Sequence, residues 1–153
     1  MTRAIASLGG VGDLRPAPGT WGAAVALIPA TLLLLLAGPI AVAAGALMLA
    51  GLGWWAASVE LATTDEDDPE WVVIDEAAGQ WLALAGLPAF GWLGLALAFA
   101  LFRLFDILKP GPVGWADRRP GATGVMLDDL VAGLLAALCL WGLSPLLPPE
   151  VFP

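Results

Sequence analysis

Apolar residues collect in five stretches along the chain, at roughly 20 to 37, 39 to 57, 77 to 87, 89 to 105 and 127 to 143. A helix crossing a hydrocarbon core of about 30 Å needs about 20 residues at about 1.5 Å each. The first, second, fourth and fifth stretches come close to that length. The third reaches it only if its helix starts near Trp71 and takes in Asp75 and Glu76; a re-entrant helix is the alternative there. The pattern predicts an all-α, polytopic membrane helical bundle of about five membrane segments, forming a single integral-membrane domain over residues 1–153.

The polar punctuation orders these segments. Gly38-Pro39 and Leu87-Pro88 make tight, uncharged connections, whereas 58–70 and 106–124 are long and polar. Five crossings place residues 1–19 and both long loops on one side. Arg3, Arg15, Lys109, Arg118 and Arg119 all fall there, which marks that side as cytoplasmic. The opposite side carries little charge beyond Glu150. The N-terminal stretch is rich in Gly and Pro and lacks the apolar centre of a signal peptide, so the spanning helices themselves are expected to bring the chain to the membrane.

Composition agrees with a membrane protein. The chain is 59% hydrophobic and 13% charged, with a mean hydropathy of +0.86; soluble domains carry about twice that charge fraction. A net charge of −8 offers no basic footprint for nucleic acid. Part of the excess lies in the acidic run at 65 to 70, which reads as a solvated loop. The chain has no His or Tyr, and its single Cys139 sits inside an apolar run. Phosphohistidine and thiolate chemistries are thereby excluded.

Charges at helix ends are the remaining chemistry. Asp75 and Glu76 open the third segment, Arg103, Asp106 and Lys109 close the fourth, and Asp128 and Asp129 open the fifth. Counting crossings brings all seven to the cytoplasmic face. Arg103, Asp106 and Lys109, spaced i, i+3, i+6, share one side of a helix that Pro110 ends. They suit phosphate oxygens, Arg through bidentate contact and Lys as a compact charge; the plain alternative is a set of salt bridges and snorkelling cations.

The two acid pairs form an oxygen-only ligand set suited to a hard cation such as Mg2+; favourable helix dipoles are the simpler explanation of either pair alone. Gly79 and Gly133 leave room for close helix approach. Asp129 shares its face with Gly133, which makes it a stronger ligand candidate than Asp128. The loop bearing Asp117, Arg118 and Arg119 is either a clamp over the cluster or a positive-inside anchor. Thr20 in GTWG either caps a helix or binds an anion, and GGVG at 9 to 12 reads as a turn. Together these features suggest phosphoryl chemistry on a lipid headgroup, with metal-activated water or an Asp as nucleophile.

PGTWG (18–22), VVIDEAAGQW (72–81), FRLFDILKPGPV (102–113), DRR (117–119) and GVMLDDLVAG (124–133) occur in this order. The set resembles the bacterial phosphatidylglycerophosphatase A family over residues from about 5 to 140. Two positions depart from its pattern: Ala23 stands where Ser is common, and Gly121-Ala122-Thr123-Gly124 where a Gly pair is frequent. The resemblance implies a multi-pass enzyme of the bacterial inner membrane, a phosphoric monoester hydrolase with its active site facing the cytoplasm. It would convert phosphatidylglycerophosphate to phosphatidylglycerol and phosphate in phospholipid biosynthesis, with Mg2+ as cofactor. Carried onto this chain, Asp75, Glu76, Asp128 and Asp129 are the metal candidates, and Asp75, Asp106 and Asp129 the catalytic ones. Arg103, Lys109, Arg118 and Thr20 are the phosphate-binding candidates. A small cation or proton transporter using intramembrane carboxylates is the alternative function.

Overall fold

The structure, a computed structural model, describes residues 1–64, 66 and 68–146. Glu150, and Asp65 and Asp67 of the acidic run, lie outside the described residues. Among the described residues every regular element is helical, as the sequence leads one to expect: α1 (Thr2–Ala6), α2 (Pro18–Leu61), α3 (Ile74–Leu84), α4 (Trp92–Leu108), α5 (Pro112–Asp117) and α6 (Gly121–Leu143).

The 44 residues of α2 are two arms rather than one rod. Gly38 leaves helical geometry at φ 78°, ψ 179°. The following Pro39 disfavours helical backbone at the residue before it, and glycine takes a positive φ without steric penalty. The arms then run antiparallel. Gly22 abuts Val73 while Gly53 abuts Ile74; Trp81 donates its indole N–H to the Ala26 carbonyl at 2.9 Å and lays its ring against Gly45. Each arm is about 30 Å long at 1.5 Å per residue.

Helix length departs from expectation elsewhere. Among the described residues two helices are long and apolar enough to cross a membrane, Pro18–Leu61 and Gly121–Leu146. The expected count of about five is not carried by helix length alone. The 11 residues of α3 begin at Ile74 rather than near Trp71, because Val73 is non-helical (φ −141°) and donates its N–H to the Ala6 carbonyl of α1 at 2.9 Å. The third stretch nevertheless runs most of the hairpin's length: Val73 meets Gly22, and Pro88 shares a depression with Pro39. Within 106–124, read as a loop, the short helix α5 forms.

Alanines fill much of the interior beside a few large side chains such as Phe102 and Leu84, and many large apolar residues face out. Ala23, Ala30, Ala46, Ala56, Ala57, Ala132 and Ala136 are fully buried, while Ile28, Leu36, Ile40, Met48, Trp92 and Trp141 are 69–84% exposed. This distribution lets helix backbones approach closely, as in bundles packed within lipid. Helices α3 and α6 run parallel, since Gly79 meets the α6 backbone at Asp129 and Gly133 while Gly86 meets it at Ala137.

Candidate active site

The α3–α6 crossing builds the centre of the site. A Cβ at Gly79 would fall 2.5 Å from the Asp129 carbonyl oxygen, and one at Gly133 would strike the Gly79 backbone. Both glycines are therefore required for backbone-to-backbone contact. One turn before Gly79 stand Asp75 and Glu76; one turn before Gly133 stands Asp129. Close contact at the glycines thus forces the acids together, and ligand oxygens of Asp75, Glu76 and Asp129 lie within 4.8 Å of one another.

The first arm of α2 closes a third side. Gly19 lies directly against the Glu76 carboxylate, and Gly22 against Val73. The glycines of GTWG thus serve close approach. Helix α2 has Ala17 at its cap position, with no side-chain cap, and Thr20 sits in the first turn without lining the cavity described next.

A cavity of about 300 Å³ opens over the acids. Asp75, Glu76 and Asp129 line it, together with Arg103 and Asp106 from α4 and Lys109 just beyond its end. Asp128 also reaches it but is turned away from the three-acid cluster, since consecutive helical residues point about 100° apart. Its carboxylate takes a hydrogen bond from Lys109 Nζ at 2.8 Å, and Lys109 also pairs with Asp117. Burial alone would lower the Lys109 pKa; the hydrogen bonds to Asp117 and Asp128 outweigh it and hold the ammonium above the ordinary lysine range. Arg103 pairs with Asp106 on the next turn.

The acid pairs share a local pattern. Glu76 N–H donates to Asp75 Oδ1 and Asp129 N–H to Asp128 Oδ1, each at 2.9 Å. Asp75 and Asp129 are buried, at 6% and 4% exposure, and neither forms an ion pair with a basic side chain among the described residues. Glu76 Oε2 is buried with no protein partner. Buried carboxylates left without compensating positive charge are strongly unfavourable. An oxygen-only set of this size and burial fits a hard divalent cation.

Arg118 lies off this cavity. With Arg119 it lines a second one of about 280 Å³, which shares Asp68, Val125 and Asp128 with the first. Three polar residues at or near the site were not singled out from the sequence. Asp68 and Glu70, read there as part of a solvated loop, line the first cavity. Gln80 is fully buried one turn beyond Glu76, with neither amide atom bonded. Only the i, i+4 spacing of Gln80 from Glu76 could have flagged it.

Comparison with known proteins bears on the family of the chain. Residues 4–144 match the family model described as Phosphatidylglycerophosphatase A. A Haemophilus influenzae protein of that name is 34% identical over 136 residues, covering 88% of this chain and 83% of its own. An Escherichia coli protein of the same name is 43% identical over 67 residues, 43% of this chain and 39% of its own. A Bacteroides thetaiotaomicron protein provisionally named phosphatidylinositol-3-phosphatase is 38% identical over 141 residues, covering 82% of this chain and 84% of its own. No solved structure matches the chain.

Proposed function

The chain belongs to the phosphatidylglycerophosphatase A family, and we propose that it is a Mg2+-dependent lipid phosphatase that hydrolyses phosphatidylglycerophosphate to phosphatidylglycerol and phosphate in phospholipid biosynthesis. The observation that carries the reading is one cavity holding a three-carboxylate cluster opposite Arg103 and Lys109. A phosphomonoester needs both halves: cations for its oxygens and an acidic centre for the divalent ion.

Asp75, Glu76 and Asp129 would hold the Mg2+, which supplies polarisation of the phosphoryl group and a more acidic bound water. Arg103 and Lys109 bind and orient the phosphate oxygens. Asp106, held by Arg103, is placed to take a proton from the attacking group or to position it. Asp128 keeps Lys109 directed at the cavity. The alternative of an ion transporter expects ionisable groups through the depth of the bundle. Against it, the buried ionisable residues Asp75, Asp128 and Asp129 all lie at one end.

A multi-pass arrangement in the bacterial inner membrane belongs to the same proposal. The apolar belt, the two hairpin arms of α2 and the run of 73–88 along them support crossings by both arms, the α3 segment, α4 and α6. The basic residues beside the site support its facing the cytoplasm. The test is phosphate release by purified protein from phosphatidylglycerophosphate in mixed micelles. Release should need Mg2+ and vanish in Asp129→Asn and Asp75→Asn proteins that remain folded. Undiminished release in excess chelator sinks the metal-dependent reading.

A further inference from the structure

The second cavity is chemically unlike the first. Arg118 and Arg119 line it with Gly121, Gly124 and the carboxylates of Asp68, Asp117 and Asp128. Neither arginine forms an ion pair among the described residues, whereas Asp128 and Asp117 are both engaged by Lys109. The Arg119 guanidinium lies over the Trp115 ring, 4.1 Å from its centroid, which fixes its plane while leaving its donors free. The first cavity is therefore a carboxylate centre with paired cations, whereas the second adds to Asp68, Asp117 and Asp128 two guanidinia that are unpaired among the described residues. The two adjoin through Asp68, Val125 and Asp128.

We infer that Arg118 and Arg119 form a subsite for the phosphodiester that links the headgroup to diacylglycerol, and so select lipids that carry a phosphodiester as well as a terminal phosphomonoester. The inference rests on the phosphatase reading and deepens it. Phosphatidylglycerophosphate has two phosphorus centres joined through glycerol, and only the terminal one is cleaved. The terminal group fits the acid-lined cavity, where a cation can join it. The diester is singly charged and must be held without being hydrolysed, which suits arginine donors outside the cavity that Asp75, Glu76 and Asp129 line. Phosphatidylinositol 3-phosphate has the same combination of diester and monoester; phosphatidate has the monoester alone.

The experiment compares the full-length protein with Arg118→Gln, Arg119→Gln and the double variant, on phosphatidylglycerophosphate and on phosphatidate with matched acyl chains. In the double variant, kcat/KM for phosphatidylglycerophosphate should fall about tenfold more than for phosphatidate, with the excess appearing in KM. Each single variant should show a smaller excess of the same sign, which keeps the result readable if the double variant folds poorly. Arg103→Gln, by contrast, should depress both substrates alike. A proportional loss on both lipids in the single arginine variants, or no loss on either, overturns the subsite. If the unaltered protein releases phosphate from neither lipid, the phosphatase reading fails and the subsite with it. If it does release phosphate and the variants keep its preference, the arginine assignment alone fails.

Discussion

Replacing Gly79 with alanine adds one methyl group at the crossing on which the site depends. Its Cβ would lie 2.5 Å from the Asp129 carbonyl oxygen and 2.6 Å from Phe102 Cε2, about 1 Å inside ordinary contact. The first obstacle is α6 backbone, which cannot rotate away, so α3 and α6 must separate by a similar distance. Overpacking of this kind costs about 1–3 kcal/mol, and the better helix propensity of alanine offsets about 1 kcal/mol of it. The net loss of stability should therefore be about 0–2 kcal/mol. Activity should suffer more, because Asp75 and Glu76 move relative to Asp129, and a misplacement of about 1 Å can lower a rate about a hundredfold. The assay pairs phosphate release at saturating Mg2+ with thermal unfolding in detergent. Gly51→Ala is the control, since nothing lies within 4 Å of its added methyl group; it should keep full activity and unfold at the same or a higher temperature. A folded Gly79→Ala protein within about threefold of the unaltered rate would refute the claim that this contact sets the site.

Other expectations follow from the same geometry. In a Mg2+ titration, Asp129→Asn should abolish activity or shift the half-maximal concentration strongly upward. Asp128→Asn should lower the rate with little shift, because Asp128 faces Lys109; the reverse ranking would show that the ligands are misassigned. Lys109→Gln should destabilise by about 1–3 kcal/mol by leaving the buried Asp128 carboxylate without its charged donor. Asp117→Asn breaks a more exposed pair and should change stability by less than about 1 kcal/mol; equal effects would mean that burial at Asp128 does not matter. The Lys109 pKa is raised in the folded protein, so its ties stabilise fully below the ordinary lysine range and fade only as pH climbs through the folded value. The stability gap between Lys109→Gln and the unaltered protein should thus not close as pH rises from about 7 to 9; a gap that closes within that range contradicts the raised pKa.

Much of the site was legible because it is written in residue types and helix spacing. Asp75-Glu76 and Asp128-Asp129 stand out against apolar surroundings, and the i, i+3 relation of Arg103 to Asp106 predicts the pair that forms. Gly79 and Gly133 signalled close approach, since a missing side chain in an apolar helix leaves room for another backbone. Asp68 and Gln80 were missed for opposite reasons. A polar loop residue looks solvated until the fold lays it over a cavity, and a lone glutamine gives no sign of the depth to which its helix carries it.

The sequence by itself determined the helical class, the reversal at Gly38-Pro39 and the gathering of charge at one end, because these depend on local backbone preference and on the exclusion of charge from apolar surroundings. Tertiary structure decided which neighbours divide the work. Asp129 joins Asp75 and Glu76 while Asp128 turns to Lys109, and Arg118 stands in a second cavity apart from Arg103. It also decided where α3 begins, since the Ala6 carbonyl of a distant turn holds the Val73 N–H that a longer helix would have used. Local sequence sets the direction in which each side chain leaves its helix. What that side chain meets depends on helix crossings that only the packed chain defines.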